Sequence, residues 1–145
     1  MREPNRTVAE HQPNLERARA AMQKSYSPYS GFPVGAVVVT DSGQYYSACN
    51  VEKAAYPEGT CAEAGALSAM VLAGERRIRE IYVMGNGEGL VTPCGGCRQR
   101  IREFADADTI VHICNPDEVR KSIRLDELLP YSFGPEHLHQ SSSGR

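Results

Sequence analysis

Two short segments fix most of what this chain can become: Thr60-Cys61-Ala62-Glu63 and Pro93-Cys94-Gly95-Gly96-Cys97. Each reads as a helix start. Thr60 is a cap residue, and Thr92 with Pro93 forms a cap and first-turn pair. Helices are expected from Cys61 to about Ala73 and from Cys94 to about Ala105. Cys94 and Cys97 are three apart, so they share one face of a helical turn. Cys61 and Cys94 lie 94 − 61 = 33 residues apart, which leaves room for one strand between them, Ile78 to Met84. Both helix N-termini can then meet at one edge of a sheet.

Three cysteines brought together in this way suit a soft metal ion. Zinc accepts thiolate ligands at about 2.3 Å in a tetrahedral site. A helix N-terminus favours a thiolate by roughly 0.3–1 kcal/mol. The chain has five cysteines. The odd number, and an N-terminus without a secretory signal, argue for metal or redox chemistry over a disulfide framework. Cys49 and Cys114 are candidate fourth ligands, but each falls in a predicted strand. Three protein ligands leave one tetrahedral position open, the pattern of a catalytic zinc site. Glu63 would then work beside water activated at the metal. Other readings exist for each part. A Cys-x-x-Cys pair can be a redox dithiol, but that leaves Cys61 and Glu63 unexplained. A closed structural zinc site needs a fourth Cys or His. Thr60-x-x-Glu63 is also a capping box, in which Glu63 would only hold a helix end.

The rest of the chain reads as one domain over residues 1–145. Residues 1–12 and 140–145 are polar and expected as tails. A helix with a buried stripe at Leu15, Ala18, Met22 and Ser25 must end before Ser27-Pro28. Val34 to Thr40 and Gln44 to Val51 flank the turn signal Asp41-Ser42-Gly43 and form a hairpin. Further strands are expected over Thr109 to Cys114 and Val119 to Ile123, then a short helix over Asp126 to Leu129. The alternation of strands and helices predicts a three-layer α/β/α sandwich on a mixed sheet of about five strands, with mostly parallel pairing beyond the hairpin. No apolar run approaches the roughly 20 residues of a membrane span, and the expected location is the cytosol. The net charge of −2 gives no support for phosphate-backbone binding. Arg76, Arg77 and Arg79, and Arg98, Arg100 and Arg102, read as solvated faces partnered by Glu75, Glu80 and Glu103.

Cys-x-Glu followed by Pro-Cys-x-x-Cys is the three-cysteine form of the zinc nucleobase deaminase signature. Other motifs extend the match from about Ala18 to Leu138. They include Tyr29-Ser30-Gly31-Phe32-Pro33-Val34-Gly35-Ala36, Cys49-Asn50-Val51-Glu52, Cys94-Gly95-Gly96-Cys97-Arg98-Gln99, Glu127-Leu128-Leu129-Pro130 and Phe133-Gly134-Pro135-Glu136. On these residues the chain resembles the small homotetrameric cytidine deaminases. The resemblance implies hydrolytic deamination of cytidine and 2′-deoxycytidine in pyrimidine salvage. It implies one Zn²⁺ per chain on Cys61, Cys94 and Cys97, with Glu63 as the catalytic proton carrier. It implies a small-molecule nucleoside as substrate, a homotetramer, and neither nucleic acid nor membrane as partner. By motif, Phe32 lines the pyrimidine pocket and the Ala62 backbone contacts the base. Asn50 and Glu52, two apart in an extended segment and so on one side of it, bind the ribose 3′-hydroxyl. Tyr56 and Phe133 stand at or across subunit interfaces near neighbouring active sites.

One position departs from the pattern. Many three-cysteine members carry Arg directly after the catalytic Glu, where this chain has Ala64. Three thiolates on Zn²⁺ leave a formal charge of 2 − 3 = −1, which helix dipoles or another cation such as Arg98 must offset. Two rival functions remain at this level. One is deamination of another aminopyrimidine such as blasticidin S, with which the loop Gly85-Asn86-Gly87-Glu88-Gly89 is compatible. The other is a non-catalytic zinc or nucleic-acid-binding module, against which the charge argues.

Overall fold

The structure is a computed structural model, and it describes residues 6–139. The expected tail over 140–145 lies outside the described residues. In chain order the elements are α1 (Val8–Met22), β1 (Val34–Thr40), β2 (Tyr45–Cys49), a 3-10 turn (Tyr56–Glu58), α2 (Ala62–Leu72) and β3 (Ile78–Gly85). Then come α3 (Gly95–Phe104), β4 (Ile110–Cys114), β5 (Val119–Arg124), α4 (Leu125–Leu128) and α5 (Pro135–His139).

The sheet has the order β2-β1-β3-β4-β5. Its pairing corrects the expectation of mostly parallel strands. Among the five strands described, only β3 and β4 pair in parallel, while β1 is antiparallel to both β2 and β3, and β4 is antiparallel to β5. The crossover logic itself holds. β2 and β3 both run opposite to β1, so they run in the same direction with β1 between them. The chain through α2 skips over β1, and the chain through α3 joins the adjacent pair β3 and β4. The helix N-termini that follow β2 and β3 therefore emerge at the same end of the sheet.

Both faces of the sheet are covered, which is why β1 reads as a continuous Val-rich run. Alternate residues divide between two clusters. Val37, Val39, Tyr82, Met84 and Cys114 pack with Leu15, Ala18 and Met22 of α1. Ala36, Val38, Ile81, Val83 and Ile113 pack with Ala66, Met70 and Ile101 of α2 and α3. The three layers match the sequence reading. Gly35 sets the spacing of α1 on β1. A Cβ there would stand 2.3 Å from the Ala18 carbonyl and 2.7 Å from the Met22 N–H, so only glycine fits.

The N-terminal boundary differs from expectation. Residues 8–12 belong to α1. Glu10 N donates to Thr7 Oγ1 at 3.2 Å, and Thr7 N donates to Glu10 Oε1 at 2.7 Å, a reciprocal capping box. The helix runs on through Pro13. Arg6 is anchored as well, donating to both oxygens of the buried Glu80 at 2.7 and 2.6 Å. Among the described residues no helix is long and apolar enough to cross a membrane.

Candidate active site

Cys61 and Cys94 are the N-cap residues of α2 and α3, one position past the cap expected at Thr60 and two past that expected at Thr92. Both have extended backbone, as helix N-cap residues do. Cys97 sits one turn into α3 and is fully buried. The three sulfurs lie within 4.8 Å of one another. Tetrahedral zinc on bonds of about 2.3 Å sets sulfurs roughly 3.8 Å apart, so this triangle closes on such an ion with a small adjustment. Cys49 and Cys114 are not in the cluster. Cys114 packs in the α1-side layer, where burial pushes its thiol up to about 12.

Electrostatics sort the three thiols. Backbone N–H groups of Cys97 and Gly96 hold Cys94 below the usual thiol range. Burial pushes Cys61 and Cys97 up, reinforced by the neighbouring Glu63 charge. Two of the three sulfurs therefore need a cation to ionise cheaply, and a divalent soft metal supplies it. The donor set and its spacing fit zinc.

Glu63 is the second residue of α2 and only 5% exposed. It cannot act as the capping-box partner of Thr60, because the N-cap is Cys61. Burial raises its pKa, against the pull of its own backbone N–H and of the Cys97 side chain. A carboxyl held up in this way can take and return protons closer to neutral pH. Glu63, Ala62, Asn50 and the three cysteines line one cavity of about 150 Å³ with Val34, Val83, Val91 and Thr92.

The substrate residues named from sequence do not all share this cavity. Asn50 lies in it. Glu52 and Tyr56 line a neighbouring cavity of about 380 Å³ with Tyr29, Ser30, Lys53 and Gly59. Phe32 stands between these groups on the chain, 40% exposed, with its carbonyl accepting from Asn50 Nδ2 at 3.0 Å. Phe133 is elsewhere, beyond α4, stacked on His137 and accepting from Gln99 Nε2 at 2.8 Å through its carbonyl.

Asn50 and Glu52 already work for the fold. Asn50 Oδ1 accepts from Val34 N at 2.9 Å and from the Ser25 hydroxyl. Glu52 Oε1 accepts from Tyr29 N at 2.9 Å and Ser30 N at 3.1 Å, and Oε2 accepts from the Ser30 hydroxyl. Together they pin the loop from Tyr29 to Val34 above the cavity. An amide and a carboxylate have about two donors and four acceptor sites respectively. Against the bonds just given, one Asn50 N–H and one Glu52 lone pair are left over.

The arginines also resolve. Arg98 donates to the carbonyls of Pro93 and Leu128 at 2.8 and 2.9 Å and to Thr92 Oγ1 at 3.3 Å, so it braces the start of α3. Arg77 and Arg102 pair with Asp106 and Glu136. Arg100, which sequence reasoning left on a solvated face, brings Nη1 to 3.8 Å from Cys97 Sγ. The three-residue spacing from Cys97 was the available signal.

Comparison with known proteins agrees with this geometry. The model of the cytidine and deoxycytidylate deaminase zinc-binding region matches residues 8–113. The chain is 36% identical over 124 residues to a cytidine deaminase of Sporosarcina psychrophila, covering 86% of this chain and 91% of that protein. It is 35% identical to a cytidine deaminase of Halalkalibacterium halodurans, covering 86% and 95%. The crystal structure of the cytidine deaminase from Burkholderia pseudomallei superposes with a TM-score of 0.80 at 38% identity, over 85% of this chain and 98% of that one. With a buried glutamate beside a three-sulfur triangle at paired helix starts, and these likenesses across most of its length, the chain belongs to the cytidine and deoxycytidylate deaminase family.

Proposed function

We propose that this chain hydrolyses cytidine and 2′-deoxycytidine to uridine and 2′-deoxyuridine with release of ammonia, a step of pyrimidine salvage. The observation that carries the reading is the shared cavity of Glu63 and the three cysteine sulfurs. Zinc held by Cys61, Cys94 and Cys97 supplies the Lewis acidity that makes water a nucleophile near neutral pH. Glu63 accepts the proton that water gives up as its oxygen bonds to C4 of the base. Glu63 passes that proton to N3, then takes the second proton from the oxygen now on C4 and gives it to the 4-amino group; the C4–N bond breaks, C4=O forms and ammonia leaves. Proton transfer by a placed carboxylate contributes about 10²–10⁴-fold. Val34, Val83 and Val91 give the cavity an apolar wall.

The leftover N–H of Asn50 and lone pair of Glu52 are a donor and an acceptor of the kind a hydroxyl takes. This supports the ribose 3′-hydroxyl as their ligand. Phe32 and the Ala62 backbone are assigned to the pyrimidine. Tyr56, 73% exposed, and Phe133, 56% exposed, are assigned to contacts between subunits of a homotetramer. The chain acts as one catalytic domain in the cytoplasm, where its thiols stay reduced. Steady-state rates on cytidine, 2′-deoxycytidine, cytosine and blasticidin S test the substrate. Nucleosides turn over fastest on this reading, and preference for blasticidin S or free cytosine contradicts it. Sedimentation of the purified protein tests the tetramer.

A further inference from the structure

The zinc site proposed above carries a net charge of −1 from its three thiolates, and it lies where burial disfavours uncompensated charge. Position 64, the first α2 residue past Glu63, is alanine and supplies no cation. Arg98 is close in sequence, but two backbone carbonyls and a hydroxyl take up its guanidinium. Arg100 points the other way. Its Nη1 stands 3.8 Å from Cys97 Sγ, the most buried of the three sulfurs. The same atom lies 3.2 Å from where a Cβ on Gly96 would be, so glycine keeps its path open. Arg100 and Ala64 both line one cavity of about 460 Å³, with Glu103 and Phe104. The small side chain at 64 leaves the space that the guanidinium approaches from α3.

We infer that Arg100 is the charge partner of the Cys97 sulfur, a positioning residue on α3 that supplies the cation α2 lacks, and that it sets how tightly the chain retains zinc. Its action is on the ligand sulfur and not on the substrate. Groups bonded to metal ligands from outside are typically worth about 10–100-fold in metal affinity. Arg100→Met keeps the length and apolar stem and removes the charge. Arg100→Lys returns a cation to the same place. The double variant Ala64→Arg with Arg100→Met moves the cation across the shared cavity to α2.

The inference rests on the zinc-site reading, and chelator competition on the full chain separates the two. A parent protein that binds no zinc contradicts the zinc site itself. With zinc bound by the parent, Arg100→Met is expected to weaken its affinity about 10–100-fold. Folding is checked by circular dichroism on each variant, and cobalt substitution reads the sulfur ligation directly through the sulfur-to-cobalt charge-transfer band, which is expected to shift in Arg100→Met. Recovery of zinc affinity by Arg100→Lys or by the double variant supports the inference. Unchanged affinity in Arg100→Met, or recovery by neither cation-bearing variant, overturns it.

Discussion

The Asn50 side chain donates to the Phe32 carbonyl at 3.0 Å and accepts the Val34 N–H at 2.9 Å, so one amide ties the loop over the cavity to the start of β1. A residue proposed to bind ribose thus also shapes the loop that carries Phe32, proposed to meet the base. Asn50→Ala removes these bonds and that to Ser25. A part-buried donor or acceptor left without a partner costs about 1–3 kcal/mol. The variant is expected to melt several degrees lower and to show a KM for cytidine raised at least about tenfold, since 1.4 kcal/mol is tenfold. Asn50→Asp is not a rescue, because its carboxylate would face the Phe32 carbonyl without a donor. Parent-like melting and KM in Asn50→Ala would contradict this dual role.

The metal assignment separates the five cysteines by position. Cys94 is exposed and Cys114 is buried. If burial alone decided their importance, Cys114→Ala would be the damaging change. A three-sulfur site requires the reverse for metal. Cys94→Ser loses most of its zinc while keeping its fold, and Cys114→Ala keeps one zinc per chain with some loss of stability. Zinc measured by atomic absorption on the purified variants decides between them. Full zinc retention by Cys94→Ser contradicts the three-sulfur site.

These cysteines and Glu63 were legible from sequence because residue type and spacing alone restrict the chemistry they can do. The strands were legible because two-sided burial writes Val37, Val38 and Val39 as an unbroken apolar run. Strand order was not. A buried strand reads the same whether its neighbour runs parallel or antiparallel, so nothing local placed β1 between β2 and β3. The start of α1 was hidden for another reason. Thr7-x-x-Glu10 is a capping box in plain view, but Gln12 and Pro13 follow it and the first turns bury only His11 and Asn14. Arg100 was obscured by the regular alternation of Arg98, Arg100 and Arg102, which looks like a solvated face until the folded α3 sets Cys97 beside it.

The layer under α1 holds a buried charge with a pH signature. Burial opposes ionisation of Glu80, but hydrogen bonds from His112 at 2.9 Å and from Arg6 outweigh it and hold its pKa at about 2. A carboxyl that binds protons more weakly when folded stabilises the protein above its unfolded value of 4.5, and this contribution is lost as pH falls from there toward 2. The contribution is on the order of 3 kcal/mol. Urea unfolding of the parent at pH 7, 5, 4 and 3 is expected to show this loss. Glu80→Gln is expected to be less stable at pH 7 and to lose less stability over the same acid window. Equal acid sensitivity in both proteins contradicts the assignment.

On the proposed mechanism, Glu63 moves protons beside a zinc site that three cysteines build without it. The most direct measurement is the rate of ammonia release from cytidine by the parent and by Glu63→Gln, with zinc per chain determined on the same samples. One zinc per chain is expected in both, with turnover reduced by about 10²–10⁴-fold in the variant. Near-parent turnover by Glu63→Gln, or zinc-replete parent protein that releases no ammonia from cytidine or 2′-deoxycytidine, would contradict it.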